Sequence, residues 1–303
     1  MTRGGGAWWW VIALIVGGMV MAGCASSGSS GGTPSVVAAE DFWGSIAAQI
    51  GGAHIKVTNI IDNPDADPHD YEPTASDART IADAKYVIEN GAGYDAWMDK
   101  LLSANKSSSR RTLDIAKFLG KQSGDNPHLW YNPDYVVSVV GKIRDDLKAI
   151  DAADAAAFDA GAQQYLDVGL KQYKDLIASI KAAYAGTPVG ATESIFAYLA
   201  PALGLNLITP ASYLSAVSEG QDVAAADEAA VERQIDQGQI KALVYNSQNT
   251  PPNIRALLDR AKGKGIPVAT ITETLTPQGA SFQEWQSRQL QGIAEALRRG
   301  TGK

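Results

Sequence analysis

The chain has 303 residues, of which 45% are hydrophobic, and a formal net charge of −7. This length is sufficient for two lobes of ordinary domain size, and a mildly acidic chain without a stripe of Lys and Arg argues against a nucleic-acid partner. Cys24 is the single cysteine, so we expect no internal disulfide and no thiolate site. Any bound metal would use nitrogen and oxygen ligands.

The N-terminus has the pattern of a secretory signal. Arg3 is followed by an apolar run over residues 7–21, which is short for a membrane span, the alternative interpretation. The small residues directly before Cys24 resemble the lipobox of bacterial lipoproteins, in which that cysteine is acylated and becomes the first residue. We predict a signal peptide over 1–23, a lipid anchor at Cys24 and a flexible tether over 24–34.

Beyond the tether, short apolar runs alternate with longer amphipathic runs. Strands are predicted at 36–39, 55–61, 86–88, 113–115, 188–191, 205–208, 242–245 and 267–271. Helices are predicted at 42–50, 78–84, 224–237, 253–262 and 282–297, with Thr74 and Asp77 as a capping pair before the second of these. This alternation predicts an α/β fold with mostly parallel sheets.

A proline-free segment lies between the two groups of strands. Residues 153–184 are rich in Ala, Leu, Lys, Asp and Gln. We predict one long helix over 153–184 that joins an N-terminal α/β lobe, 35–152, to a C-terminal α/β lobe, 185–303. The alternative is a pair of helices broken near Gly169.

Two histidines occur in similar local sequences. Residues 68–73 read PHDYEP and residues 127–133 read PHLWYNP. Imidazole is the commonest protein ligand for a transition metal, and adjacent prolines restrict the backbone that carries it. The motifs therefore favour His69 and His128 as metal ligands, although His128 could instead be a structural histidine. We leave the third histidine, His54, out of the site because it lies at a turn entering a strand.

Two glutamates follow predicted strands of the second lobe. Glu193 comes after the strand at 188–191 and Glu273 after the strand at 267–271. Parallel sheets bind ligands beyond the carboxyl ends of their strands, so both carboxylates are placed to face a cleft. A glutamate after a strand can also be present only because the dipole of a following helix favours an acid at its N-terminus. Glu193 taken alone fits this explanation as well as it fits a metal ligand.

Three segments together resemble a known family. Residues 63–99, 126–133 and 191–198 are similar to the substrate-binding lipoproteins of manganese and zinc ABC importers, the metal-specific cluster of solute-binding proteins. The resemblance implies two Rossmann-like lobes joined by a long rigid helix, with one ion held between the lobes. By position, it implies the metal ligands His69, His128, Glu193 and Glu273. Many members have an aspartate at the fourth position, so Glu273 is a departure.

The resemblance also implies a function. We expect a protein without enzymatic activity, anchored by lipid on the outer face of the cytoplasmic membrane, that delivers Mn²⁺ or Zn²⁺ to an ABC permease. Fe²⁺ suits the same ligands, and the family pattern favours manganese slightly. We expect a monomer that binds no nucleic acid.

Two other classes of protein compete with this interpretation. A secreted metallohydrolase could use an ion held by His and Glu to activate water, but the sequence has no HExxH-type motif and offers four ligands instead of an open site. A siderophore-binding or corrinoid-binding lipoprotein would not explain the paired Pro-His motifs. Both are weaker than metal-ion binding.

Overall fold

The computed structural model describes Met1, residues 33–64 and residues 71–303. The predicted signal peptide, Cys24, most of the predicted tether and His69 lie outside these residues, so the predictions for them remain predictions. Within the part of the chain that is described, no helix is long and apolar enough to cross a membrane.

The N-terminal lobe is built on a four-stranded parallel sheet. Its strands are β1 (Ser35–Glu40), β2 (Lys56–Ile61), β3 (Tyr86–Glu89) and β4 (Arg111–Asp114). They lie in the order β2-β1-β3-β4. Strands β1 and β3 are buried along nearly their whole length, as expected for central strands covered by helices on both faces.

The C-terminal lobe repeats this arrangement with shorter strands. They are β5 (Pro188–Ala191), β6 (Asn206–Leu207), β7 (Leu243–Asn246) and β8 (Val268–Ile271). The order is β6-β5-β7-β8 and every pairing is parallel. The predicted fold class, two α/β lobes with parallel sheets, is confirmed, and each of the eight predicted strands is present.

The described helices connect and cover these strands. In the N-terminal lobe they are α1 (Asp41–Gly51), α2 (Ala75–Ala82), α3 (Ala96–Ala104), α4 (Ile115–Phe118) and α5 (Pro133–Ile150). Between the lobes lie α6 (Ala155–Gln164) and α7 (Lys171–Tyr184). The C-terminal lobe has α8 (Leu199–Ala202), α9 (Ala211–Ser218), α10 (Ala225–Asp236), α11 (Pro252–Gly263) and α12 (Phe282–Thr301).

Helix α2 begins at the predicted capping pair. The Thr74 hydroxyl accepts a hydrogen bond from the Asp77 backbone N–H at 3.3 Å, and Asp77 Oδ2 accepts one from the Thr74 N–H at 2.6 Å. Two of the N–H groups that a helix start leaves without a helical partner are thereby satisfied. The capping prediction is confirmed, and this cap fixes where α2 begins.

The segment between the lobes is helical but not uniform. A π-helical turn, Tyr165–Gly169, separates α6 from α7, and the Leu170 N–H donates to the Tyr165 carbonyl at 2.8 Å. The structure lies between the predicted single helix and the alternative of two helices broken near Gly169. The chain stays helical, but its hydrogen bonding changes close to Gly169. Gly161 lets α6 approach α1, because a Cβ there would lie 2.2 Å from the Ile50 carbonyl oxygen.

Aromatic side chains pack the two lobes against each other. Phe42 of α1 stacks on Trp130 with ring centroids 4.2 Å apart, and Trp285 of α12 lies 6.4 Å from Phe42. All three belong to one buried cluster that extends through both lobes. Helix α12, although last in the chain, packs on α7, β8 and α1. The two lobes therefore share one buried core.

Candidate metal centre

The two predicted carboxylate ligands lie at the carboxyl end of the second sheet. Glu193 follows β5 and Glu273 follows β8, and their side chains are only 1% and 7% exposed. Asn246 ends β7, the strand between β5 and β8. Its Nδ2 donates to Glu193 Oε2 at 3.1 Å and to Glu273 Oε1 at 2.8 Å. The sheet topology thus brings both carboxylates to one amide group.

Glu273 has further contacts with its own lobe and with the other lobe. The Tyr94 hydroxyl, from the N-terminal lobe, donates to Glu273 Oε2 at 2.9 Å. Gln248 Oε1 accepts the Glu273 backbone N–H at 2.5 Å. Glu273 is therefore held at both its backbone and its side chain.

His128 belongs to the N-terminal lobe, on the side that packs against the C-terminal lobe, and it is fully buried. Its Nδ1 is 2.8 Å from Asn126 Oδ1 and 3.3 Å from Ser194 Oγ. Because Asn126 Oδ1 is an acceptor, the geometry assigns the proton to Nδ1 and leaves the Nε2 lone pair directed away from this contact. Such a hydrogen bond to the far nitrogen is the usual support of a metal-binding imidazole.

The local sequence explains the placement of His128. Asn126 Oδ1 also accepts the His128 backbone N–H at 3.1 Å, which forms a tight turn around Pro127. Asn132 then caps α5 by accepting the Asp134 N–H at 3.0 Å, with Pro133 at the first helical position. The motif over 127–133 is therefore a turn and a helix start that together fix the ring.

The structure relates the predicted site residues through shared neighbours. Ser194, next to Glu193, contacts His128, and Tyr94, which contacts Glu273, lies with its ring centroid 6.1 Å from that of His128. Among the described residues, no three His, Cys, Asp or Glu side chains form a group that could hold a metal ion. His69 lies outside those residues, so the four-ligand set stays a prediction.

His54, the histidine left out of the predicted site, has different surroundings. Its Nδ1 lies 2.7 Å from Asp154 Oδ2, and its side chain is 44% exposed. It follows α1 at the amino end of β2, whereas Glu193 and Glu273 lie beyond the carboxyl ends of β5 and β8. His54 therefore provides a histidine that can be replaced without touching the candidate site.

A cavity of about 430 Å³ lies beside His128, between the lobes. Its lining includes Tyr94, Asn126 and Ser194, which contact the candidate ligands. Among the described residues that line it, the charged ones are Asp125 and Glu219, one from each lobe. The two acidic side chains give this cavity a negative charge, which favours the approach of cations.

A second group of buried acids occupies the carboxyl end of the first sheet. Burial raises the pKa of Glu89 to about 9 and that of Asp95 to about 7. Burial, reinforced by Asp95, raises the pKa of Glu40 well above its usual range. Burial also raises the pKa of Asp41 to about 7, although the Leu275 N–H opposes this shift. At neutral pH, Glu40 and Glu89 therefore favour their bound protons, because burial penalises the charged form of a carboxyl group.

Three residues at the centre were missed in the sequence. Asn246, Gln248 and Tyr94 are neutral, so a search for residue types that ligate metals passes over them. Asn246 does carry a signal, because it ends a strand in the same way that Glu193 and Glu273 follow strands. Extending the rule about strand ends to amide side chains would have found it.

Comparison with known proteins places the chain in a family. Residues 36–296 match the profile of the family described as zinc-uptake complex component A, periplasmic. The manganese-binding lipoprotein MntA of Halalkalibacterium halodurans is 32% identical over 127 residues, 41% of this chain and 42% of that protein. The zinc-binding lipoprotein AdcA of Streptococcus pneumoniae is 22% identical over 269 residues, 82% of this chain and 52% of that protein. The chain thus spans about half or less of these two relatives.

A longer alignment and a solved structure agree with the family match. The metal ABC transporter substrate-binding lipoprotein FimA of Streptococcus parasanguinis is 24% identical over 285 residues, 86% of this chain and 88% of that protein. The Mn-bound periplasmic metal-binding protein of Candidatus Liberibacter asiaticus has the same fold, with a TM-score of 0.72 at 19% identity over 87% of this chain and 99% of that one. Because the profile covers most of its length, the chain belongs to the family of the periplasmic zinc-uptake complex component A.

Proposed function

We propose that this protein binds one divalent transition-metal ion outside the cytoplasm and delivers it to the permease of an ABC importer. The observation that carries the proposal is the pair of buried carboxylates, Glu193 and Glu273, held on one amide. Two buried acids that converge on a single amide place carboxylate oxygens side by side, and such oxygens are ligands for divalent cations. An imidazole from the facing lobe, His128, is the type of ligand that would complete such a site.

The ligand set that we propose is His69, His128, Glu193 and Glu273. Two nitrogen and two oxygen donors suit Zn²⁺, Mn²⁺ and Fe²⁺, and intrinsic affinity rises from manganese to zinc. The relatives are named as manganese-binding and as zinc-binding lipoproteins, which supports Mn²⁺ or Zn²⁺ as the transported ion. The ion is the cargo of the protein, and we propose that it is bound without catalysis.

The anchor and the domain limits are also proposals. The lipoprotein names of the relatives support acylation of Cys24 after removal of residues 1–23. We propose a tether over 24–34, lobes over 35–152 and 185–303, and a linking helical segment over 153–184. The protein would act as a monomer, held by its lipid on the outer face of the cytoplasmic membrane.

Thermal unfolding with and without metal tests the proposed binding. An ion that binds only the folded state raises the free energy of unfolding by RT ln(1 + [L]/Kd). We expect the wild type to show a melting temperature that rises with Mn²⁺ and Zn²⁺ concentration, and His128→Ala to lose most of that rise. His54→Ala is the matched control and should keep it. Equal metal stabilisation of wild type and His128→Ala, or none in the wild type, would contradict the proposal.

A further inference from the structure

Asn246 is the point where the two candidate carboxylates meet. Its side chain is fully buried, and Nδ2 donates to Glu193 Oε2 at 3.1 Å and to Glu273 Oε1 at 2.8 Å. A primary amide has two N–H bonds, so each carboxylate receives one. Both N–H bonds of Asn246 Nδ2 therefore have a carboxylate acceptor.

The orientation of the Asn246 amide is fixed by its own turn. Asn246 Oδ1 accepts the Gln248 backbone N–H at 3.0 Å. A flipped amide would leave that N–H facing an NH₂ group and would point Oδ1 at two carboxylate oxygens. Because both consequences are unfavourable, the amide has one workable orientation, with its donors toward Glu193 and Glu273.

Gln248 extends the same support along the β8 loop. Its Oε1 accepts the backbone N–H groups of Glu273 at 2.5 Å and Thr274 at 3.3 Å, and its Nε2 donates to Thr274 Oγ1 at 2.6 Å. The turn after β7 therefore fixes the backbone from which Glu273 projects as well as its carboxylate. The Glu193 carboxylate is tied to the same turn through Asn246.

An amide suits this position because it donates without adding charge. An acidic side chain there would add a third buried negative charge and no N–H donor, whereas a lysine would supply the positive charge that the ion should bring. Asparagine orders both carboxylates and leaves the charge of the two acids to attract a cation. Its role is therefore to set positions, not to bind the ion.

We propose that Asn246 is a positioning residue that fixes the separation of the Glu193 and Glu273 carboxylates and thereby supports Mn²⁺ binding relative to Zn²⁺. The inference rests on the proposed function. Zn²⁺ is satisfied by four ligands and binds most sites of this type more tightly than Mn²⁺ does. Mn²⁺ binds more weakly and depends on having every oxygen donor in place at once, so disorder in the carboxylates costs Mn²⁺ more.

The test compares the affinities of both ions in three variants. Asn246→Ala removes both donors, Asn246→Ser keeps one donor in a smaller side chain, and Asn249→Ala is a control in the same turn. Asn249 makes no side-chain hydrogen bond to any residue that the structure describes. Competition with a chelating dye gives Kd for Mn²⁺ and Zn²⁺, and electron paramagnetic resonance of bound Mn²⁺ reports the symmetry of its ligands.

Loss of an outer hydrogen-bond partner typically weakens metal binding by about 10–100-fold. We expect a loss of that size for Mn²⁺ in Asn246→Ala, a smaller loss for Zn²⁺, an intermediate result in Asn246→Ser, and a changed Mn²⁺ resonance spectrum. Asn249→Ala should match the wild type. Should Asn246→Ala fail to fold, Asn246→Ser decides the question by the same Kd ratio.

Two outcomes would overturn the inference. One is equal weakening of both ions in the Asn246 variants, which would indicate a general structural role. The other is wild-type affinity for both ions. A wild-type protein that binds neither ion would instead refute the proposed function, so the two failures are distinguishable.

Discussion

The two sheets both bury acids at their carboxyl ends, but the surroundings of those acids differ. In the N-terminal lobe, burial raises the pKa of Glu40 well above its usual range and that of Glu89 to about 9, while Asp95, which accepts the backbone N–H groups of Asn90 and Gly91, has a pKa of about 7. In the C-terminal lobe, Glu193 and Glu273 each accept an N–H hydrogen bond from Asn246, and Glu273 also accepts an O–H hydrogen bond from Tyr94.

The carboxyl end of a parallel sheet thus accommodates buried acids in two different ways. A deeply buried carboxyl group such as that of Glu40 or Glu89 favours its proton, and it then carries no charge to attract a cation. Carboxylate oxygens that are ordered by side-chain donors, as in Glu193 and Glu273, suit a metal ion instead. The first group is expected to govern how the stability of the protein depends on pH, and the second to govern how it depends on metal.

The largest expected effect comes from exchanging one acid in each group for glutamine. At a free metal concentration about 1,000 times Kd, binding adds about 4 kcal/mol to the free energy of unfolding. Glu273→Gln should lose most of this gain because the amide brings no negative charge. Glu89→Gln should keep it. Chemical denaturation with and without Mn²⁺ or Zn²⁺ measures the metal stabilisation of each variant. A loss in Glu89→Gln but not in Glu273→Gln would show that the metal binds at the acids of the N-terminal lobe instead.

The second prediction concerns pH without metal. The pKa values of Asp95 and Glu89 in the folded protein, about 7 and about 9, exceed the values near 4 of an unfolded chain, so the folded state binds more protons. This contribution to stability is fully present below pH of about 4 and is lost as pH rises through about 7 and then about 9. Each such group lowers the free energy of unfolding by up to about 1.4 kcal/mol per pH unit.

Glu89→Gln provides the control for that pH dependence. The glutamine does not titrate, so the decline of stability between pH 7 and 9 should become shallower in this variant. Denaturation curves at a series of pH values, in the presence of a chelator, give both slopes. A wild-type free energy of unfolding that rises over this range would show that these acids are ionised in the folded protein.

Sequence patterns predicted the sheets better than the support of the site. Strands such as β3 appear as short apolar runs between turn residues, and the rule about strand ends places Glu193 and Glu273 without knowledge of coordinates. Asn246 and Tyr94 could not be chosen in this way, because their roles come from contacts between distant parts of the chain. The glycine at 169 did mark the place where the hydrogen bonding of the linking segment changes, although not that the change is a π-helical turn at Tyr165–Gly169.

The smallest expected effects come from the capping boxes of the two lobes. Thr74 caps α2 in the N-terminal lobe and Ser281 caps α12 in the C-terminal lobe, each paired with an acid three residues later. Replacing either residue with alanine should lower the free energy of unfolding by about 1 kcal/mol. Equal losses in a single cooperative transition would indicate that the lobes unfold together. Two separated transitions would show that they do not.

Anomalous X-ray scattering from crystals loaded with Zn²⁺ would locate the ion itself. We expect one strong peak at the metal absorption edge, within about 2.2 Å of a His128 nitrogen and of carboxylate oxygens from Glu193 and Glu273, with His69 completing the set. A peak among Glu40, Glu89 and Asp95, or no peak at all near His128, would contradict the assignment of the metal site to Glu193 and Glu273.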